Sequence, residues 1–318
     1  MKASVVLCTW NRCEQLAKTL EAMCALRVPP GSEWELLVVN NNCTDATDGV
    51  IASFEDRLLV RRLFEPKQGL SSSRNCGIAA AAGELIVFTD DDVFVEPGWL
   101  AAYFGAADRW PEAAYFGGRI VPQFENRPPG WLQTHLRPFG NMLGVRDFGS
   151  EERPFRGEEQ PFGGNMAFRA GVFQGRRFNP DLGRSEQARI MGEEGVLFSE
   201  LSHMGAGGVW VPGAELKHFI PKSCFSRKFL WHYFRGKGQT IVRVHGPKPG
   251  KLLWGIPRHQ IREYCLWRLK SWALYPVRRE AAMLAFVTAA KVRGEMEESR
   301  AIHGRNGSAP EPVRPGCT

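Results

Sequence analysis

The segment Glu84-Leu85-Ile86-Val87-Phe88-Thr89-Asp90-Asp91-Asp92 joins an apolar run to three successive carboxylates. Residues 85–88 have the composition of a buried strand, with Gly83 before them and Pro97-Gly98 closing the unit after. Adjacent carboxylates at a strand's carboxyl end repel one another and gain nothing from packing, so a positive partner is expected there. Alternation along extended chain lets Asp90 and Asp92 face the same side. Hard oxygen donors in that pattern suit Mg²⁺ or Mn²⁺, completed by substrate phosphates and water. Taken alone, the triplet also fits a solvated acidic turn capping the next helix.

Upstream, strands and helices alternate. A strand is predicted over 3–8, and a helix over 13–26 with Leu16, Leu20, Met23 and Cys24 on one face. A second strand follows over 34–39, then a helix capped by Asp45 and running through Val50, Ile51 and Phe54. A third strand over 58–64, a helix over 72–82 and the strand over 85–89 complete a βαβαβαβ order. That order predicts an α/β fold, Rossmann-like, with an open, mostly parallel sheet flanked by helices. Such sheets bind ligands beyond the carboxyl ends of their strands, where Thr9, Asn40 and Asp90 all fall.

Downstream, residues 117–175 read as irregular, rich in Gly, Pro, Phe and Arg, which points to a functional loop. Order returns at Phe162-Gly163-Gly164-Asn165-Met166-Ala167-Phe168. A helix over 193–204 and a strand over 208–212 follow, leading to Lys217-His218. Gly246-Pro247-Lys248-Pro249-Gly250 reads as a hinge. Residues 256–277 and 279–292 predict helices separated by Pro276, and 301–318 have a disordered composition.

With 318 residues, 43% of them hydrophobic, the chain can bury the core of one large domain or two small ones. No run approaches the ~20 apolar residues of a membrane span. No signal-peptide pattern opens the chain, and eight cysteines scattered without metal-ligand spacing suit a reducing compartment, so a cytoplasmic protein is expected. The net charge of +7 is unevenly spread. Residues 1–221 carry 22 Lys and Arg against 28 Asp and Glu, whereas 222–300 carry 17 against 5. The expected organisation is a body over 1–221 followed by a basic, aromatic helical appendage over 222–300.

A dinucleotide fold needs a glycine-rich turn after its first strand. Here that turn is Cys8-Thr9-Trp10-Asn11-Arg12, with no glycine, so a Rossmann dehydrogenase is disfavoured. An aromatic and an arginine there suit a nucleobase. Together with residues 35–45, Gln68-Gly69-Leu70-Ser71-Ser72-Ser73-Arg74-Asn75-Cys76-Gly77, the acidic triplet with Pro97-Gly98-Trp99-Leu100, Gly163-Gly164-Asn165 and Gly192-Glu193-Glu194, this order of motifs resembles the inverting family 2 glycosyltransferases of GT-A fold. The resemblance spans about residues 3 to 220 and implies a catalytic domain over 1–221, with a donor half to residue 120 and an acceptor half from 121.

The resemblance implies a nucleotide site lined by Thr9, Trp10, Asn11, Arg12, Asn40 and Asn41, with Arg74 reaching the base or diphosphate. Asp90-Asp91-Asp92 becomes an Asp-x-Asp motif: Asp90 and Asp91 near the donor, Asp92 on the metal with Asp90, and His218 on metal or diphosphate. Glu194 matches the family's catalytic carboxylate, with Glu193 before it, and Gly164 and Asn165 fall where an acceptor sugar would bind. Two departures stand out. The second strand ends in Asn40 rather than aspartate, and Glu194 replaces the commoner aspartate. The implied partners are a UDP-, dTDP- or GDP-linked sugar and a saccharide or lipid-linked acceptor.

Tryptophan and tyrosine mixed with Lys and Arg on amphipathic helices suit an anionic membrane surface, on which residues 252–277 and 283–292 would lie, or alternatively a helical subdomain with a basic outer face. No nucleic-acid-binding motif is present. Two other functional readings remain at this level. A sugar nucleotidyltransferase would use similar acidic residues but needs a glycine-rich triphosphate loop, which the chain lacks. A non-enzymatic sugar- or lipid-binding module would account for Asn40 and Glu194.

Overall fold

The computed structural model describes residues 1–133, 136–183 and 192–304. The apolar runs of the first ninety residues form β1 (Lys2–Thr9), β2 (Glu33–Asn40), β3 (Val60–Phe64) and β4 (Leu85–Asp90), joined by α1 (Cys13–Met23), α2 (Thr47–Ala52) and α3 (Leu70–Ala80). Next come β5 (Val93–Val95), α4 (Trp99–Arg109), β6 (Tyr115–Phe124), α5 (Gly130–Gln133), α6 (Leu136–Leu143), β7 (Arg153–Pro154) and β8 (Asn165–Arg169). The chain continues through α7 (Glu193–His203), β9 (Gly208–Ile220), α8 (Arg227–His245), β10 (Leu252–Leu253), β11 (Ile256–Pro257), α9 (Arg258–Leu274) and α10 (Arg279–Gly304).

Among the described residues one sheet runs β3-β2-β1-β4-β8-β6-β9-β5, with β7 on β9. β1, β2, β3, β4, β6 and β9 share one direction, and β5, β7 and β8 oppose it, so the sheet is mostly parallel. Both faces are covered. Val5, Leu7, Leu36, Val38 and Val87 face one core with Leu16, Leu20, Trp99 and Tyr103. Val6, Leu37, Val39, Ile86 and Phe88 face another with Ile78, Phe168, Phe178 and Phe198. Burial on both sides explains why these strands read as continuous apolar runs. Register then sets the rim: Thr9 pairs with Asn40, Cys8 with Asp90, and Thr89 with Asn165.

Residues 117–175 are not irregular throughout, since they hold most of β6 and all of β8. β6 was hidden by Gly117-Gly118, a pair with little strand propensity. A Cβ at Gly118 would collide with the Ala214 carbonyl and the Asn165 amide, so the close approach of β9 and β8 requires glycine. β9 also runs past 212 to Ile220, through a register shift opposite Gly118/Ile120, and His218 lies within it beside Val93 of β5. Asp45 is not the cap of α2. It stands outside the helix, accepting the Thr47 backbone N–H at 3.2 Å.

The described chain divides into two compact units. The first comprises Met1–Glu125, Gly140–Asp181 and Glu193–Ile220; the second gathers the described residues of Asn126–Phe139, Leu182–Gly192 and the chain from Pro221. In the second unit α8 had no predicted counterpart, because Gly236 and Gly238 weaken its helical signal. Gly238 lies against the Lys291 carbonyl and Gly294 against the Arg235 carbonyl, so glycines let α8 and α10 touch backbone to backbone. α9 starts at Arg258 because Ile256-Pro257 pair with β10. Much of 283–292 belongs to the core of this unit, with Ala285, Phe286, Val287, Ala289, Ala290 and Val292 buried and Met283 and Leu284 half-buried. α10 runs to Gly304, so the expected tail starts later, and residues 305–318 lie outside the described residues. No described helix is long and apolar enough to cross a membrane.

Candidate active site

The loops after β1 and β2 are stitched together at the rim. Asn11 adopts φ 51° and accepts the Thr44 N–H at 2.7 Å, while the Cys13 N–H donates to Asp45 Oδ2 at 2.9 Å. Asn40 accepts from the Cys43 N–H at 2.7 Å and donates to Asp48 Oδ1 at 2.6 Å. Asn41 donates to the Glu65 and Lys67 carbonyls, both at 2.9 Å, and accepts from the Gly69 N–H at 2.9 Å. Both asparagines are buried. Their amides hold the rim's backbone, where the donor contacts expected of them would need free, accessible groups. Trp10 is the large exposed ring of this stretch, at 36%.

The acidic triplet splits by burial. Asp91 is buried and accepts from the Thr9 hydroxyl at 2.8 Å and from Arg12 Nη1 at 3.0 Å, while its carbonyl takes the Thr19 hydroxyl at 2.9 Å. Burial pushes the Asp91 carboxyl up to about 6, against the pull of Arg12, and the Arg12 guanidinium is driven above its ordinary value by the Asp91 charge. Thr9 and Asp91 thus support the rim from beneath, which corrects their placement as donor contacts. Asp92 is half-buried, with Oδ2 2.7 Å from Arg12 Nη1 and Oδ1 3.4 Å from His218 Nε2. His218 Nδ1 lies 2.7 Å from the Leu143 carbonyl, and this backbone partner makes Nδ1 the donor and turns Nε2 toward Asp92. Burial opposes the charged ring, but the Asp92 hydrogen bond and charge raise His218 above its ordinary value.

A second group forms where α3 meets the first turn of α7. Arg74 is buried, and its Nη1 lies 3.1 Å from Glu193 Oε1 and 3.1 Å from Glu194 Oε1. Its guanidinium stands 5.3 Å from the Phe178 ring centroid. Arg74 is therefore committed to two carboxylates rather than reaching a donor. Glu193 is buried, so the role of base does not suit it; Glu194 keeps 22% of its side chain exposed. Both glutamates start α7, where the helix dipole favours negative charge. Beneath them, a Cβ at Gly163 would run into Glu194 Oε1 and Arg74 Nη2, and one at Gly164 would meet Asp90 Oδ2 at 2.6 Å. Asp90 joins the two groups electrostatically, since its charge raises both Arg74 and His218.

Asn165 is the clearest correction among the site residues. It is wholly buried: Oδ1 accepts from Trp99 Nε1 and the Tyr103 hydroxyl, each at 2.8 Å, and Nδ2 donates to the Arg119 and Ala214 carbonyls at 3.0 and 2.8 Å. All its capacity is spent locking β8 to α4, β6 and β9, and none is left for an acceptor. Gly164 serves by lacking a side chain beside Asp90. Sequence reasoning singled out the Gly163-Gly164 turn but not its contact with Glu194 and Arg74, and it passed over Thr19 and Asp48. These two carried no signal, because their partners lie far away in sequence or on another strand.

The mostly parallel sheet flanked by helices is the fold of the GT-A glycosyltransferases. The chain belongs to glycosyl transferase family 2, whose model matches residues 4–182. It is 26% identical over 242 residues to the glucosyl-dolichyl phosphate glucuronosyltransferase of Haloferax volcanii, covering 74% of each chain. It is 25% identical over 256 residues to the succinoglycan biosynthesis protein ExoM of Rhizobium meliloti, covering 79% of this chain and 78% of that one. Among solved structures it resembles the mannosyltransferase PcManGT of Pyrobaculum calidifontis in complex with GDP-Man and Mn²⁺, with TM-score 0.57, 17% identity and coverage of 93% and 87%. It also resembles residues 1–349 of TarS from S. aureus in complex with UDP, with TM-score 0.55, 12% identity and coverage of 95% and 91%. The protein is a glycosyltransferase acting in glycan assembly, which sets aside the nucleotidyltransferase reading.

Proposed function

We propose that this glycosyltransferase moves a sugar from a nucleoside-diphosphate donor to an acceptor hydroxyl with inversion, assisted by Mn²⁺ or Mg²⁺. One observation carries the reading. Glu194 and Asp90 lie over consecutive glycines of one turn, so an accessible carboxylate stands beside the acidic rim that would hold the diphosphate. Glu194 takes the proton of the attacking hydroxyl, a role worth about 10²–10⁴-fold in rate. Attack by one hydroxyl opposite the leaving group inverts the anomeric centre. Arg74 and Glu193 fix the carboxylate's orientation, and Trp10 stacks on the base.

The donor set suits a hard divalent ion. Asp92 Oδ1 and His218 Nε2 stand 3.4 Å apart, near the ~3 Å between neighbouring donors of an octahedron with ~2.1 Å bonds. Among the described residues no three His, Cys, Asp or Glu side chains form a metal cluster, and Mg²⁺-type sites usually take one or two protein donors plus phosphate and water. Asp92 and His218 would hold the ion, with Asp90 adjacent, and the bound ion would neutralise charge on the departing diphosphate. Arg12, 2.7 Å from Asp92, is placed to follow the diphosphate with its guanidinium.

The proposed donor is a UDP-, dTDP- or GDP-linked sugar, and the proposed acceptor a saccharide or lipid-linked saccharide met at the cytoplasmic face of an anionic membrane. The relative that acts on a glucosyl-dolichyl phosphate supports the latter. The test pairs Glu194→Gln with Asp92→Ala. Glu194→Gln should keep donor affinity by calorimetry while transfer falls at least about a hundredfold. Asp92→Ala should lose Mn²⁺-dependent donor binding. Undiminished transfer by Glu194→Gln would remove Glu194 as the base.

A further inference from the structure

α9 leaves an apolar row outside. Gln260 and Ser271 are buried and Ile261, Tyr264, Trp267 and Leu274 half-buried, whereas Leu266, Leu269 and Trp272 are 50%, 64% and 79% exposed. Their spacing places the three on one face of the helix. Tyr275 and Val277 extend the exposed apolar surface past its end. A helix of a soluble domain turns such a face toward a core. Scattered apolar residues on a surface need no explanation, but a contiguous row marks an interaction site. Arg262, Arg268 and Lys270 flank the row and Arg278 and Arg279 follow it, all exposed.

The same unit holds a cleft of about 370 Å³ to which α8, α9 and α10 contribute. Arg227, Lys228 and His232 of α8 and Arg268 of α9 line it, with Trp231 and Phe286 in its walls and, among the described residues, no carboxylate in its lining. The Arg227 guanidinium stands 4.5 Å from the Phe286 ring centroid, and that of Arg268 5.3 Å from the Trp231 ring centroid. Stacking fixes the guanidinium planes and leaves their N–H edges available as donors. Arg227 and Lys228 also occupy the first turn of α8, which holds no acidic residue and where the helix dipole disfavours cations. A phosphate oxyanion would relieve all of these charges at once. Residues 222–300 carry 17 Lys and Arg against 5 Asp and Glu, which selects an anionic surface as the matching partner.

We propose that α9 and this cleft form a docking site for anionic phospholipid. In this arrangement the cleft receives a headgroup phosphate, and Leu266, Leu269 and Trp272 enter the boundary between headgroups and acyl chains. Indole and arginine side chains suit that layer, since each joins an apolar body to a polar tip. The site rests on the proposed membrane-borne acceptor only for its purpose. Its binding is measured without donor or transfer, so the two readings fail separately.

The test uses the full chain and flotation with two kinds of vesicle: phosphatidylcholine alone, and three parts phosphatidylcholine to one part phosphatidylglycerol. Binding is expected to the mixed vesicles only. Arg227→Gln with Arg268→Gln should weaken it about thirtyfold, from the loss of two cations at the surface. Leu269→Ser with Trp272→Ser should weaken it at least about tenfold. These side chains are half-exposed or more on the helix or line an open cleft, and melting curves matching the parent's would show that the variants fold. In vesicles with brominated acyl chains, tryptophan fluorescence should be quenched, and less so in Trp272→Phe. Equal affinity for both vesicles would overturn the headgroup site, and so would indifference to the arginine pair. Absence of quenching, or a stable dimer in sedimentation that Leu269→Ser dissolves, would overturn insertion of α9.

Discussion

Replacing Arg74 by methionine separates the charge of the buried clamp from its packing. Methionine fills much of the same volume beside Phe178, so the principal loss is the guanidinium. Glu193, buried at 4% exposure, then loses the guanidinium 3.1 Å away. Removing one partner of a buried pair costs about 3–5 kcal/mol. The half-buried Glu194 adds at most about 1 kcal/mol, since solvent screens it. Glu193→Gln is milder. Arg74 retains Glu194 at 3.1 Å, and about 1–3 kcal/mol is expected for the altered hydrogen bonding. In the double variant neither charge of the pair remains, so the losses should not add, and the coupling should reach about 1–3 kcal/mol. Urea denaturation followed by circular dichroism gives all four stabilities. If Arg74→Met costs under about 1 kcal/mol, or the double variant equals the sum of the singles, the clamp does not hold these carboxylates and the orientation assigned to Glu194 loses its basis.

Gly163→Ala places a methyl group against Glu194 Oε1 and Arg74 Nη2, so turnover should fall about a hundredfold while donor affinity measured by calorimetry stays within a fewfold. Asn165→Ala strands the Trp99 indole N–H, the Tyr103 hydroxyl and two carbonyls in a dry interior, and denaturation should show a loss above about 4 kcal/mol at roughly 1–3 kcal/mol for each group. Glu35 gives a pH-dependent case. Burial works against its ionised form, but hydrogen bonds from the Ser4 hydroxyl and the Ala82 N–H outweigh it, and the folded carboxyl sits below its usual range. Its stabilisation is present above the unfolded value of about 4.3 and fades as pH drops through the lower folded value. The stability gap between the parent and Glu35→Gln should therefore shrink on acidification from neutral pH toward 3.

The parallel strands were legible because they are buried on both faces, so β1, β2 and β4 ended within one residue of expectation. β6 and α8 were not, and for a common reason. Gly117-Gly118 and Gly236 with Gly238 weaken the local pattern of strand and helix, yet Gly118 and Gly238 are glycines because backbone approaches backbone there. That requirement belongs to the tertiary fold and leaves no periodic trace. The site shows the same division. Strand register alone brings Thr9, Asn40 and Asp90 to one rim, so their location could be read. Most of the site's contacts could not, because the partners come from far along the chain: Thr9 meets Asp91 across 82 residues, Arg74 meets Glu194 across 120, and Arg12 meets Asp92 across 80. The expectation that three adjacent carboxylates demand positive charge was sound, and the chain itself supplies part of it through Arg12 and His218. In the proposed reaction a donor diphosphate brings two further negative charges to this rim, and the ion between Asp92 and His218 would offset them. The Arg12 guanidinium, half-exposed, has room to turn from Asp92 toward the diphosphate, whereas Arg74, buried between two glutamates, has none. Burial therefore divides the two arginines of the rim: Arg12 can answer to the donor, and Arg74 to the base.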